Sequence, residues 1–129
     1  MNPFRLVGDS RQGTNLTTGK KGEEIAKRYL EKKGYKILEK NYKTKYAEID
    51  LIAKKRNELV FVEVRTKMGE NFGTPEETID KKKMRKLWGN AMAYAARNKW
   101  QGHYRVDAVC IVLKPSGEVN RLNHYENII

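Results

Sequence analysis

Two carboxylates, Asp50 and Glu63, are predicted to face each other across a β-hairpin, where they could hold a cation. Residues 46–53 and 59–65 read as strands, and a turn centred on Arg56-Asn57 would place the two acids directly opposite each other. Opposed carboxylates repel each other on a sheet. A divalent cation, Mg²⁺ or Mn²⁺, would relieve that repulsion, because one or two carboxylates are a common protein contribution to such a site.

The residues around this pair favour hydrolysis of a phosphodiester. Arg65 lies two positions beyond Glu63 and shares its face, and Lys67 continues that face. A third acid, Glu23, projects from a predicted helix and could act in the outer shell or on a second metal. We therefore predict Asp50, Glu63 and Glu23 as metal ligands. The same three acids, with Arg65 and Lys67, form the predicted catalytic set, because a metal-bound water and nearby cations suit phosphate chemistry.

A plainer interpretation makes the acids members of salt bridges, for example Glu48 with Arg65. Exposed pairs of this kind contribute little to stability. The hairpin register is itself an assumption, since Arg-Asn is not a preferred two-residue turn and a shift of one residue would move every side chain to the other face.

Composition indicates a basic, single-domain globular protein. The chain has 129 residues, of which 39% are hydrophobic and 33% charged, and its net charge is +11. Such a surplus predicts a polyanionic partner, with nucleic acid, DNA first, ahead of an anionic membrane surface. The alternative is that the charge only maintains solubility.

Cysteine content and hydropathy predict a cytoplasmic protein with no membrane segment. The single cysteine, Cys110, lies in an apolar run typical of a buried strand, so no disulfide framework is expected. No apolar run approaches membrane-spanning length, and no secretory signal is recognised. Residues 1–16 read as a poorly ordered lead-in, and residues 17–129 as one domain.

Periodicity predicts an α/β fold in the order α-β-β-β-α-β, with an edge strand able to follow. Ile49, Leu51 and Val62 are predicted on one face of the hairpin, and Ile52 and Phe61 on the other, so both faces should be covered. The predicted elements are a helix over 19–33, a strand over 35–42, the hairpin, a helix over 74–97, a strand over 104–113 and the edge strand over 118–125.

The second helix is predicted to open with a capping box, Thr74-Pro75-Glu76-Glu77. Its first half is strongly basic, and we predict that this run binds the nucleic-acid backbone, although a solvated helix face is an equal alternative. The run comprises Lys81, Lys82, Lys83, Arg85 and Lys86. Trp88 is predicted to be core, Trp100 is undecided, and His124 is isolated in the sequence.

At these residues the chain resembles the YraN family, uncharacterised bacterial proteins placed with the restriction-endonuclease-like, Holliday-junction-resolvase-like proteins. The superfamily motif, an acid, a spacer and then Asp/Glu-x-Lys, matches Asp50 and Glu63-Val64-Arg65. Other family motifs match in order at Gly22 to Ala26, Ala47 to Asp50, Phe61 to Arg65, Phe72 to Pro75, a helix lysine at Lys81 or a neighbour, and Arg105 to Asp107.

The resemblance implies a three-layer restriction-endonuclease-like fold with a mixed sheet, a divalent-metal endonuclease or resolvase-like site, and, by analogy, a homodimer. Arg65 departs from the usual lysine. Arginine stays protonated but can bind phosphate through two nitrogens, and Lys67 could substitute as the titratable group. Two alternatives remain: a non-catalytic nucleic-acid-binding module, which Arg65 favours, and a basic protein-interaction factor.

Overall fold

The computed structural model describes residues 16–129, so the predicted lead-in lies outside the described residues except for Leu16. Within that range the elements follow the predicted order, edge strand included. They are α1 (Thr18–Lys32), β1 (Lys36–Lys43), β2 (Glu48–Lys55), β3 (Glu58–Met68), α2 (Lys81–Arg97), β4 (His103–Leu113) and β5 (Val119–Tyr125), with one 3₁₀ turn at Glu76–Thr78 before α2.

The five strands form one mixed sheet in chain order, β1-β2-β3-β4-β5. The central pair, β3 and β4, is parallel, and its register runs from Glu58–His103 to Met68–Leu113. The remaining neighbours are antiparallel. A parallel pair needs a long crossover, and α2 lies in that connection. The fold is therefore mixed α/β, as predicted.

Each face of the sheet is covered by one helix, which confirms the expectation from the two apolar strand faces. On one side Ala26 and Leu30 of α1 pack on residues of β2, β3 and β4. On the other side Leu87 and Ala91 of α2 pack on Ile52, Phe61 and their neighbours. Cys110 is buried, and burial raises the pKa of its thiol to about 12.

Helix α1 lies unusually close to β3 because Gly22 has no side chain. A Cβ built on Gly22 would lie 1.8 Å from Oγ1 of Thr66. Thr17 caps the helix by accepting a hydrogen bond from the backbone N–H of Lys20 at 3.1 Å. The close approach brings the first turns of α1, including Glu23, to the end of the sheet where β2 and β3 separate. Neither helix within residues 16–129 has the length and apolar character needed to cross a membrane.

The second helix begins later than the sequence predicted. The capping box forms, since the Glu77 N–H donates to Thr74 Oγ1 at 3.2 Å and the Thr74 N–H donates to Glu77 Oε1 at 2.8 Å. It serves only the 3₁₀ turn. Ile79 is extended, and Asp80 caps α2 by accepting from the Lys82 N–H at 2.8 Å. The prediction of one continuous helix from residue 74 was therefore wrong.

The alternation of faces along β2 breaks at Asp50. Leu51 packs on the α1 side as predicted, but Ile49 packs on the α2 side, so the prediction that both share a face was wrong. Opposite this point on β1, Asn41 has a φ of 50°, which is uncommon for a residue other than glycine.

The sheet splits at the same point. Pairing of β2 with β3 follows the predicted register from Lys55–Glu58 to Leu51–Val62 and ends there. Beyond it β2 pairs only with β1, and β3 only with β4. A cleft opens where the two strands diverge.

Candidate active site

The cleft has a volume of about 470 Å³ and is lined by two helices, two strands and one turn. Its floor is formed by the diverging ends of β2 and β3, and its walls by the start of α1, the β1–β2 turn and the first turns of α2. The lining residues are Gly19, Glu23, Tyr46, Ala47, Glu48, Asp50, Glu63, Val64, Arg65, Lys83, Met84, Lys86 and Leu87.

Asp50 and Glu63 lie side by side on this floor. Asp50 takes over a hydrogen bond of the sheet, because the backbone N–H of Val64 donates to its Oδ2 at 2.8 Å. The two carboxyl groups are close enough for each to shift the pKa of the other. Glu63 is almost fully buried, with 8% of its surface exposed. The two acids are therefore neighbours, but not as the predicted cross-strand pair, because the β2–β3 pairing ends one residue earlier, at Leu51–Val62.

Both acids hold protons more tightly than usual. Burial, followed by the charge of Glu63, raises the pKa of Asp50 to about 8, against the lowering effect of the Val64 N–H. Burial also raises the pKa of Glu63, although Arg65 and Lys83 oppose the shift. Near neutral pH the pair therefore favours sharing a proton, and displacement of that proton by a cation would relieve the repulsion.

The donor set fits a hard divalent cation with few protein ligands. Among residues 16–129 no group of three or more histidine, cysteine, aspartate or glutamate side chains is arranged to hold a metal. Asp50 and Glu63 alone supply up to four carboxylate oxygens. Mg²⁺ is commonly bound by one or two carboxylates and keeps several waters, so two adjacent acids in an open cleft suit it.

Arg65 is held in place on both sides. Its Nη1 donates to Glu63 Oε2 at 3.1 Å, its Nε donates to Thr78 Oγ1 at 2.8 Å, and its Nη2 donates to the Thr78 carbonyl at 3.3 Å. Because the guanidinium binds the Thr78 carbonyl, it also helps to explain why the 3₁₀ turn does not continue into α2. The predicted pair of Arg65 with Glu48 is not the one that forms.

Glu23 reaches the cleft from α1 but is occupied by neutral and cationic partners. Its Oε1 accepts from Asn41 Nδ2 at 3.0 Å and from Lys20 Nζ at 3.4 Å. Its charge still acts on Asp50, whose pKa it helps to raise. The structure thus brings Glu23 to the site but not into a three-acid ligand set with Asp50 and Glu63.

The predicted basic residues separate into two groups. Lys83 and Lys86, one helical turn apart on α2, line the cleft. Lys81, Lys82 and Arg85 are exposed on α2 and do not line it. Lys67 is half-buried on β3, in register with Val112, and is also absent from the lining.

Two lining residues with polar side chains were not predicted as site residues. Tyr46 belongs to the β1–β2 turn, and Glu48 follows it at the start of β2. The available signal was their position immediately before Asp50, since residues that flank a site acid in a turn are carried to the same cleft. Their chemistry alone gave no reason to select them.

A second polar cluster lies on the opposite face of the sheet. Buried Asp107 accepts hydrogen bonds from Arg105 Nε at 2.9 Å and the Asn127 N–H at 2.9 Å, and lies 2.7 Å from His124 Nε2. His124 Nδ1 lies 3.1 Å from the Tyr29 hydroxyl. The prediction that His124 is isolated was therefore wrong. The cluster joins α1, β4, β5 and the following segment, which indicates a structural role for the Arg-x-Asp motif.

The two tryptophans lie away from the cleft. Trp88 stacks on Tyr104, with ring centroids 5.3 Å apart, and packs against the α2-side core, which confirms its predicted role. Trp100 is half-buried against the same core, and its Nε1 donates to the His103 carbonyl at 2.8 Å.

The geometry defines a mixed α/β domain with an acidic cleft floor and a lysine-bearing wall. The chain belongs to the family described as "Uncharacterised protein family UPF0102", whose model matches residues 22–111 and which is the YraN family. The matched region contains every acid of the cleft and both of its lysines.

Relatives with the same family name cover most of the chain. The UPF0102 protein of Caldanaerobacter subterraneus is 45% identical over 86% of this chain and 93% of its own length. The UPF0102 protein of Thermotoga maritima is 47% identical over 84% of this chain and 94% of its own. The UPF0102 protein of Syntrophomonas wolfei is 39% identical over 88% of this chain and 97% of its own length.

Proposed function

We propose that the protein is a nucleic-acid-binding phosphodiester hydrolase that depends on a divalent metal and has the restriction-endonuclease-like arrangement of sheet and helices. The observation that carries the proposal is the pair Asp50 and Glu63, adjacent and largely buried at the bottom of a cleft with lysines on its wall. A purely structural role would favour pairing each acid with a base. Here the guanidinium of Arg65 binds Glu63, while Asp50 accepts a backbone N–H.

Mg²⁺ or Mn²⁺ would be held by Asp50 and Glu63, with water and a phosphate oxygen completing its shell. When bound there, such a metal polarises the phosphate and lowers the pKa of a water molecule. The hydrogen bond from the Val64 N–H fixes one Asp50 oxygen and so orients the carboxylate. Glu23 at the rim would add negative potential that draws a cation into the cleft.

The basic residues would bind and orient the substrate. Arg65 has a fixed orientation and a permanent charge, so it can stabilise a phosphate but cannot accept a proton. Lys83 and Lys86 line the same cleft as Glu63, and the charge of Lys83 acts on that acid. We therefore assign contact with the phosphate backbone to these two lysines.

A second candidate, a non-catalytic nucleic-acid-binding module, is favoured by one observation. The three donor groups of Arg65 described above are directed at Glu63 and Thr78, as expected of a residue that braces the structure. The acid pair counts against this candidate, because binding a polyanion gains nothing from carboxylates on the cleft floor.

Cleavage assays distinguish the two candidates. Branched, flapped and single-stranded DNA and RNA would be incubated with Mn²⁺ or Mg²⁺ and the products resolved by electrophoresis. We expect cleavage by the native chain and none by Glu63→Gln or Asp50→Asn, since each removes a ligand charge while keeping side-chain size.

Glu118→Gln is the matched control, because Glu118 is exposed on the β4–β5 turn and should leave cleavage unchanged. Metal titration by calorimetry supplies a second readout, with binding expected to weaken in Asp50→Asn. Absence of cleavage together with unchanged metal affinity in Asp50→Asn would overturn the hydrolase proposal.

A further inference from the structure

We propose that Tyr46 is a stacking platform for an unpaired base, so that the substrate of the cleft is single-stranded nucleic acid or a junction with a single-stranded segment. This inference rests on the proposed function and specifies its substrate class. It starts from Tyr46, which within residues 16–129 is the one aromatic side chain that lines the cleft. The Trp88, Tyr104 and Phe61 rings lie elsewhere and pack on other rings.

The Tyr46 ring is presented to solvent. It is 69% exposed, although it borders a cleft whose floor is buried. Phe72 is more exposed, at 95%, but it does not line the cleft. An exposed aromatic ring beside a charged cleft gains from a flat apolar ligand that covers its solvent-facing surface.

The backbone that carries Tyr46 is fixed by a buried side chain of α2. Thr44 Oγ1 accepts from the N–H groups of Tyr46 at 3.1 Å and Ala47 at 3.4 Å. Asn90, only 6% exposed, accepts from Thr44 Oγ1 at 3.0 Å and donates through Nδ2 to the Ala47 carbonyl at 2.9 Å. Because the carbonyl and the amino group of this buried amide both bind the β1–β2 turn, the turn is held in a fixed position relative to the lysines on the same helix.

Cations accompany the ring in the same cleft. Lys45 Nζ lies over the Tyr46 ring, 5.3 Å from its centre, and Lys83 and Lys86 lie on the α2 wall. A positive groove combined with an exposed aromatic ring is the usual recognition mode for single strands, because every base has a π-face and every nucleotide a phosphate. In a duplex the bases stay stacked inside, so the ring could reach only an unpaired one.

Binding measurements with a short single strand that contains 2-aminopurine, and with the blunt duplex of the same sequence, test the inference. They would be made at low salt with Ca²⁺ and, in parallel, with EDTA. We expect the native chain to quench 2-aminopurine in the single strand. Tyr46→Ala should lose that quenching and bind the single strand about tenfold more weakly, with little change for the duplex. Tyr46→Phe should behave as the native chain.

The variants separate failure of this inference from failure of the proposed function. Lys83→Ala with Lys86→Ala should weaken single strand and duplex alike. The stacking role would be wrong if Tyr46→Ala kept native affinity for the single strand, or if its affinities for single strand and duplex fell equally. The hydrolase proposal would be unaffected by that result, because it is tested by the loss of cleavage in Glu63→Gln. If the native chain bound neither substrate, both proposals would fail.

Discussion

The protonation of Asp50 and Glu63 couples the site to the stability of the fold. The pKa of Asp50 rises from 3.8 to about 8 on folding, so between these values the folded state binds more protons than the unfolded chain. Stability from this residue is fully present below pH 3.8 and is lost as the pH rises through about 8. The neighbours that set this balance are Glu63, Glu23, Glu48 and the Val64 N–H.

We therefore expect the melting temperature in EDTA to fall as the pH rises from about 5 to 8. Addition of Mn²⁺ should restore it at the upper end, because a bound cation replaces the shared proton. Asp50→Asn should be more stable than the native chain near pH 8 and should flatten the profile. Thermal unfolding monitored by circular dichroism gives both results. Glu118→Gln should keep the native profile, and a native profile without slope would show that the acids do not interact.

Sequence reasoning brought the two acids near each other because the hairpin register follows from local alternation as far as Leu51–Val62. It did not predict that the strands separate at the acids. It could not locate the partner of Arg65, since Thr78 lies thirteen residues further along the chain in a loop. Nor could it select Lys83 and Lys86 from the five basic residues of the run, because that choice depends on how α2 docks against the opened end of the sheet.

The elements that form the cleft depend on two close approaches, one for each helix. On α2 the buried Asn90 ties the helix to the β1–β2 turn. On α1 the absence of a side chain at Gly22 lets the helix contact β3 at Thr66, whose Oγ1 is buried without a hydrogen-bond partner. The cost of that unpaired hydroxyl suggests that the packing distance matters more than the hydrogen bond.

Gly22→Ala should destabilise the protein by about 2 kcal/mol, because the new methyl group would force α1 away from β3. Gly89→Ala is the control, since nothing lies within 4 Å of a Cβ there and alanine favours the helix by up to about 1 kcal/mol. Urea unfolding measures the change in the free energy of unfolding for each variant. Native stability in Gly22→Ala would mean that α1 can shift without cost.

The position of α2 shows where element prediction reaches its limit. The sequence carries two start signals close together, the capping box at Thr74 and the cap at Asp80. Both are satisfied, and the helix follows only the second. Local propensity could not choose between them, since the choice involves the hydrogen bond from Arg65 to the Thr78 carbonyl, a contact between separate elements.

The molecule as a whole carries a net charge of +11, so its affinity for nucleic acid should depend strongly on salt. Each phosphate contact contributes about 0.9 to the slope of log affinity against log salt on duplex DNA. Lys83→Ala with Lys86→Ala should therefore reduce the slope by about 2, as fluorescence anisotropy over a salt series would measure.

The double variant Lys32→Ala with Lys114→Ala provides the comparison, since both lysines are exposed and neither lines the cleft. It should alter the slope less. A flat response in the native chain would argue for a protein partner in place of nucleic acid.

For the whole molecule, the order of helices and strands could be predicted because each segment has a clear hydrophobic period. The cluster around Asp107 could not be predicted, since its members come from α1, β4 and β5 and meet only after the sheet is assembled. For the same reason, His124 looks isolated when only its sequence neighbours are considered.

The parallel pairing of β3 with β4 also sets an order of events during folding. Residue 58 must meet residue 103, which closes a long loop, whereas β2 and β3 meet across a tight turn. The nascent hairpin therefore brings its two acids together before the lysine-bearing helix can dock. Until then their repulsion is unshielded, so a chain emerging in the presence of divalent ions should complete its hairpin more readily than one without them.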